Sequence, residues 1–282
     1  KNTFSDAFLK GVAEIFEYIR SNENFKIVVL TGYEQYFCCG GTKDGLIAIQ
    51  EGSAQFTDLK IFSVALECDL PVIAAMQGHA IGAGWAMGLF CDLVIFSEES
   101  VYQAPYMQYG FTPGAGSTLA FPEKLGKDLA WEVLFSAKDF RGSELRDRGV
   151  GLKILPRAEV QAYALETAHQ LALSSREDLR QSKIERCKHL RLQLKSVLAQ
   201  ELAMHEKTFV GNQTVGKNIQ ELFGKGTNND SPESPQDRTS ENMDSFASDS
   251  TLLTEIRKTL TTTLAEELYM KPEAVLEDLP FL

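Results

Sequence analysis

Apolar residues recur at helical spacing near the start of the chain, at Phe8, Val12, Ile15 and Ile19, and predict an amphipathic helix over Phe4 to Ser21. Ile27 to Leu30 is a short β-branched run closed by Thr31-Gly32, the pattern of a buried strand. Leu46 to Leu66 reads as a helix with a mobile start. Pro71 to Met76 predicts a second buried strand, Gly84 to Phe90 a helix of small and apolar residues, and Asp92 to Phe96 a third strand. Thr112-Pro113-Gly114-Ala115-Gly116 is a loop set to open a helix. From Lys127 the pattern is mostly helical, through Ala158 to Leu173 and Arg176 to Phe209. Strands alternating with helices predict an α/β fold with a mainly parallel, buried sheet.

The pattern stops after Phe223. Gly224 to Ser250 is built of Gly, Asn, Ser, Pro, Asp and Glu with almost no apolar residues, too few to offset the entropy of ordering, and is expected to be a flexible linker. Periodicity returns at Thr251, where Leu252, Ile256, Leu260 and Leu264 share one helical face. A Lys271-Pro272-Glu273 turn follows. The expected organisation is a globular domain over 1–223, a linker over 224–250 and the start of a second domain over 251–282.

Composition narrows the function. A chain of 282 residues, 44% hydrophobic and 24% charged, suits a soluble protein with one sizeable core. The formal net charge of −11 argues against nucleic acid as a partner, and no apolar run is long enough to span a membrane. The five cysteines, Cys38, Cys39, Cys68, Cys91 and Cys187, are odd in number and lack C-x-x-C spacing. That pattern predicts neither a disulfide framework nor a zinc site, and points to a reducing, cytoplasmic compartment.

Two glycine-rich turns carry the candidate chemistry. Phe37-Cys38-Cys39-Gly40-Gly41 follows the first strand region, and Gly78-His79-Ala80-Ile81-Gly82-Ala83-Gly84 follows the second. Small residues let backbone approach backbone, and two such turns can aim two amide N–H groups at one developing negative oxygen. Spacing alone equally fits two ordinary tight strand ends.

The order of these parts resembles the crotonase (enoyl-CoA hydratase) superfamily over roughly Lys1 to Leu222. The resemblance rests on Lys26 to Gly32, Tyr36 to Gly41, Pro71 to Gly78, Gly82-Ala83-Gly84, Cys91-Asp92, Gly110 to Gly116 and Arg141 to Pro156. Within it, Ala75 to His79, Ser97 to Tyr102, Tyr109 to Pro113 and Glu201 to Phe209 are similar to the hydratase-like decarboxylases of polyketide β-branching cassettes. The resemblance implies a ββα-spiral core with a helical C-terminal region. It places the superfamily's first strands before Lys1-Asn2-Thr3-Phe4-Ser5. Thr251 to Leu282 resembles the first helix and loop of an acyl carrier protein.

The resemblance also implies roles. A thioester carbonyl would sit between the N–H groups of Gly41 and Ala83. The two glutamates that the hydratases use fall on Ala86 and Tyr106, neither of which is a carboxylate, so hydration is disfavoured. Loss of CO₂ from an unsaturated acid thioester needs less: an oxyanion site for the dienolate, a group that engages the carboxylate and a proton source. His205 matches the histidine taken to engage the carboxylate; in isolation it would be a helix-surface histidine. Lys43 is a candidate proton donor, with a solvated lysine as its bland alternative. In some relatives the donor lysine falls where this chain has Ile49, and water is the other source. Trp85, Tyr106 and Met107 are expected to line the acyl pocket or to be core. His79 is expected to be structural, and His169 and His189 surface residues. Lys1 is a candidate for the pocket entrance.

The expected activity is decarboxylation of 3-methylglutaconyl on an acyl carrier protein, giving a 3-methylcrotonyl-type thioester. No metal or redox cofactor is implied, and the acyl chain rides on the carrier's phosphopantetheine. The expected assembly is a homotrimer working beside other polyketide synthase modules. The alternatives are an acyl-thioester hydratase, dehydratase or isomerase, and a non-catalytic domain that docks a carrier.

Overall fold

The computed structural model describes residues 2–58 and 60–224. Lys1, the linker expected over 224–250 apart from Gly224, and the segment over 251–282 expected to begin an acyl carrier protein lie outside the described residues. Eight strands are described: β1 (Val28–Thr31), β2 (Tyr36–Cys38), β3 (Val72–Met76), β4 (His79–Ile81), β5 (Leu93–Ser97), β6 (Val101–Gln103), β7 (Asp139–Arg141) and β8 (Lys153–Leu155). The helices are α1 (Asp6–Ser21), α2 (Lys43–Gln50), α3 (Val64–Glu67), α4 (Ala83–Leu89), α5 (Tyr106–Tyr109), α6 (Ser117–Leu125), α7 (Lys127–Ser136), α8 (Gly142–Asp147), α9 (Arg157–Leu171), α10 (Arg176–Thr208) and α11 (Gln213–Leu222).

The strands form two sheets. One is parallel throughout, in the order β1-β3-β5-β8. The other runs β2-β4-β6-β7, parallel except for the β6–β7 pair. A strand of the first sheet, a strand of the second and a helix follow one another as β1-β2-α2, β3-β4-α4 and β5-β6-α5. This is the expected ββα spiral.

The apolar runs have a direct cause. Every residue of β3 is buried. On one face Ile73 and Ala75 pack with Ile95 against Val160 and Ala164 of α9; on the other Val72, Ala74 and Met76 join the main core. A strand covered on both faces has no polar side to show, so its sequence does not alternate.

The long α10 is fixed to this frame by a buried ion pair. The Lys183 ammonium meets the Asp92 carboxylate and donates to Ala65 O at 3.0 Å. Asp92 also accepts from Val72 N at 2.8 Å and from Arg186 at 2.5 Å. Burial acts to raise the Asp92 pKa, but the charge and hydrogen bond of Lys183, with the Val72 and Arg186 donors, outweigh it and hold the carboxyl below its ordinary value.

One expected element is corrected. Leu46 to Leu66 is not a single helix. Thr42 caps α2 by accepting from Gly45 N at 3.1 Å, and α2 ends at Gln50. Gly52 takes a φ of +76°, which ends the helix; the chain re-enters helical geometry as a 3₁₀ turn at Lys60–Ser63 and α3.

Candidate active site

The two glycine turns end neighbouring strands, β2 and β4, which pair through Tyr36 with His79 and Cys38 with Ala80. They touch. A Cβ on Gly84 would lie 2.3 Å from Cys38 O, and one on Gly40 would lie 2.9 Å from Gly84 N and 3.1 Å from Ala83 N. Gly40 also takes a φ of +68°. Only glycine meets both demands there, and the close approach brings the two turns to one place. Gly41 and Ala83 border the same cavity, of about 440 Å³. Neither amide N–H has an acceptor among the described residues. Two unused backbone donors at one cavity are what an oxyanion site requires.

Beyond these donors the cavity is largely apolar. Leu46 and Ile49 of α2 line it, as do Phe56, Phe62, Phe111 and Phe209. His205 stands among them near the end of α10, only 4% exposed. Its ring meets Phe56, Phe209 and Phe111 edge-on, at centroid distances of 4.9, 5.3 and 5.8 Å. Its Nε2 lies 2.8 Å from Thr112 O. A carbonyl can only accept, so Nε2 carries the proton and Nδ1 is the basic nitrogen. Nδ1 is buried without a partner. Burial lowers the His205 pKa below the ordinary imidazole value, and the Thr112 and Pro113 carbonyls offset only part of this, which favours the neutral imidazole at pH 7.

Tyr106 borders the cavity with its hydroxyl 2.7 Å from Ser117 Oγ. Ser117 donates its own proton to Gly114 O at 2.5 Å, so the Tyr106 proton goes to Ser117 and the phenol turns only lone pairs to other partners. Burial raises the Tyr106 pKa, which keeps the phenol neutral.

The structure separates the other candidates. Trp85 is fully buried away from the cavity, packed on Phe121 at 4.7 Å and Tyr102 at 5.6 Å; it is core. Met107 is 42% exposed and does not line the cavity. Lys43 begins α2 on the exposed side, where its Nζ donates to Gln220 O of α11 at 3.3 Å, outside the cavity wall. On this helix it is Gly45, Leu46 and Ile49 that border the cavity. Ala86 is fully buried and offers only a methyl group. His79 is half-buried, accepts from Val101 N at 2.9 Å through Nδ1, and borders the cavity. His169 and His189 are exposed, as expected.

Sequence reasoning missed Ser117, whose link to Tyr106 spans a loop, and the phenylalanine cage around His205. Phe56 and Phe111 are remote from His205 in sequence, and only their apolar character at loop positions hinted at a role. Among the described residues no group of three His, Cys, Asp or Glu is placed to hold a metal ion, and no helix is long and apolar enough to cross a membrane.

Known proteins are similar to this chain over most of the described residues. The enoyl-CoA hydratase/isomerase family model matches residues 1–225. The chain is 52% identical over 224 residues to the bacillaene synthase decarboxylase PksI of Bacillus subtilis, covering 79% of this chain and 90% of the relative. A solved structure of a dehydratase/decarboxylase couple involved in polyketide β-branching matches with a TM-score of 0.78 at 51% identity, over 79% of this chain and 90% of the other. The ECH2 decarboxylase domain of CurF from Lyngbya majuscula matches with a TM-score of 0.75 at 36% identity and the same coverage. With paired amide donors at the ends of β2 and β4 and a family model matching most of its length, this chain belongs to the enoyl-CoA hydratase/isomerase family.

Proposed function

We propose that this protein removes CO₂ from 3-methylglutaconyl carried on an acyl carrier protein, during polyketide β-branching. The observation that carries this reading is one cavity that holds two unused amide donors at Gly41 and Ala83, a buried neutral His205 and, as the carboxylate on its lining among the described residues, Asp139 of β7 alone, with alanine and tyrosine at the positions, Ala86 and Tyr106, where the resemblance puts the glutamates of the hydratases. The likeness to decarboxylases of β-branching supports it.

In this reading the thioester oxygen accepts from Gly41 N–H and Ala83 N–H, and the distal carboxylate lies at His205. The bond to the carboxylate breaks, its electrons pass along the unsaturated chain to the thioester oxygen, and the two amides stabilise the dienolate. Each donor contributes about 3 kcal/mol to that charge. The carbon that carried CO₂ then takes a proton, supplied overall by solvent. A carboxylate cannot sit against the bare lone pair of Nδ1, so its binding draws a proton onto His205 while Nε2–H stays on Thr112 O. No metal or redox group takes part.

The carrier supplies the phosphopantetheine arm, and other polyketide synthase modules supply and consume the acyl chain. A homotrimer fits the exposed apolar pair on α7, where Trp131 stacks on Phe135 at 5.2 Å with 39% and 62% exposure. Five free cysteines fit the cytoplasm. The test is His205→Ala, which should abolish CO₂ release while the far-UV spectrum stays that of the folded protein, with a melting temperature lowered by the lost packing and hydrogen bond but still above the assay temperature. Near-normal turnover in that variant would sink the assignment.

A further inference from the structure

Glu201 is a buried carboxylate with no part in the chemistry above. It lies on α10 one helical turn before His205 and is fully buried. Its partners are all neutral: Gly116 N at 2.8 Å on one oxygen, and Thr118 N at 3.0 Å and Thr118 Oγ1 at 2.7 Å on the other. Burying a carboxylate without a cation is costly, so the position asks for a reason beyond packing.

The reason lies in the segment it grips. The turn at residues 112–118 is tied to α10 at three successive levels: Glu201 holds Gly116 and Thr118, His205 Nε2 meets Thr112 O, and Thr208 Oγ1 meets Thr112 Oγ1 at 3.0 Å. The same turn presses on the imidazole, for a Cβ on Gly114 would lie 2.6 Å from His205 Cε1. It also carries Ser117, the partner of Tyr106. A carboxylate has acceptors for all three donors at once. A carboxamide would set its NH₂ against one of the backbone N–H groups.

We propose that Glu201 is a positioning residue: by clamping Gly116 and Thr118 to α10 it keeps Thr112 O on His205 Nε2, and so leaves Nδ1 as the nitrogen for the substrate carboxylate. The last step rests on the decarboxylase reading; the control of the tautomer does not.

The experiment combines ¹⁵N NMR of the histidine side chains with kinetics on the intact chain, for wild type, Glu201→Gln and Thr118→Val. The wild type should show His205 as the Nε2–H tautomer. Glu201→Gln should give a mixture of tautomers and a kcat for CO₂ release at least about 10-fold lower per folded protein, with KM changed less. Thr118→Val, which keeps the carboxylate but removes one of its three bonds, should move both readouts the same way by less. If Glu201→Gln does not fold, Thr118→Val decides alone. A native imidazole signature in the folded variants would overturn the proposal, as would a rate loss that follows the unfolded fraction only. A wild type that releases no CO₂ would defeat the decarboxylase reading, while the ¹⁵N signature still decides the role of Glu201.

Discussion

His205 owes its reactivity to its surroundings. Three aromatic rings and burial keep the ring neutral, and one carbonyl selects its tautomer. Its pKa therefore lies below the ordinary imidazole value, chiefly through burial. Carboxylate binding needs the protonated ring, so kcat/KM should rise as pH falls through that lowered pKa and decline above it. A pH–rate profile checks this, and an alkaline limb that persists in His205→Gln would belong to another group. Gly84 offers a second check. A methyl group there would strike the Cys38 carbonyl, so Gly84→Ala should part the two turns, with kcat/KM falling by at least about 100-fold in thioester kinetics. At this scale the sequence was partly legible. Glycine spacing located both turns because close backbone contact tolerates nothing else. Lys43 misled because nearness to Gly41 in sequence says nothing about direction: Thr42 starts a helix, and its first residue faces α11. Lys43→Ala should accordingly keep turnover within about twofold of the wild type in the same assay.

The elements place these residues. His205 sits where it does because α10 is pinned at its other end by Lys183 and Asp92. Lys183→Met should lower unfolding free energy by about 3 kcal/mol in urea denaturation, since it strips the main partner from a buried carboxylate. The Asp92 pKa is lowered in the folded state, so the stability from this group is complete above the ordinary carboxylate pKa. It is lost as pH falls through the lowered one. The wild type should therefore lose more stability than Asp92→Asn on acidification across that window. Buried strands were readable as unbroken apolar runs because both faces of β3 are covered. The Leu46 to Leu66 segment was not, because its apolar residues serve two short helices and a cavity wall at once. Trp85 was ambiguous for the same reason: from Gly84 to Leu89 every residue of α4 is buried, and helical spacing cannot say which wall is a pocket.

At the scale of the molecule, two sheets linked by three ββα turns bring the ends of β2 and β4 together and set α10 across the cavity they open onto. On that frame the chemistry falls to the groups around the two amides. The most direct measurement is mass spectrometry of 3-methylglutaconyl loaded on an acyl carrier protein and incubated with the intact chain, reading mass loss and alkene position together. The account predicts loss of CO₂ to a 3-methylcrotonyl thioester by the wild type. Gain or loss of water, or a carrier that binds and returns unchanged, would contradict it.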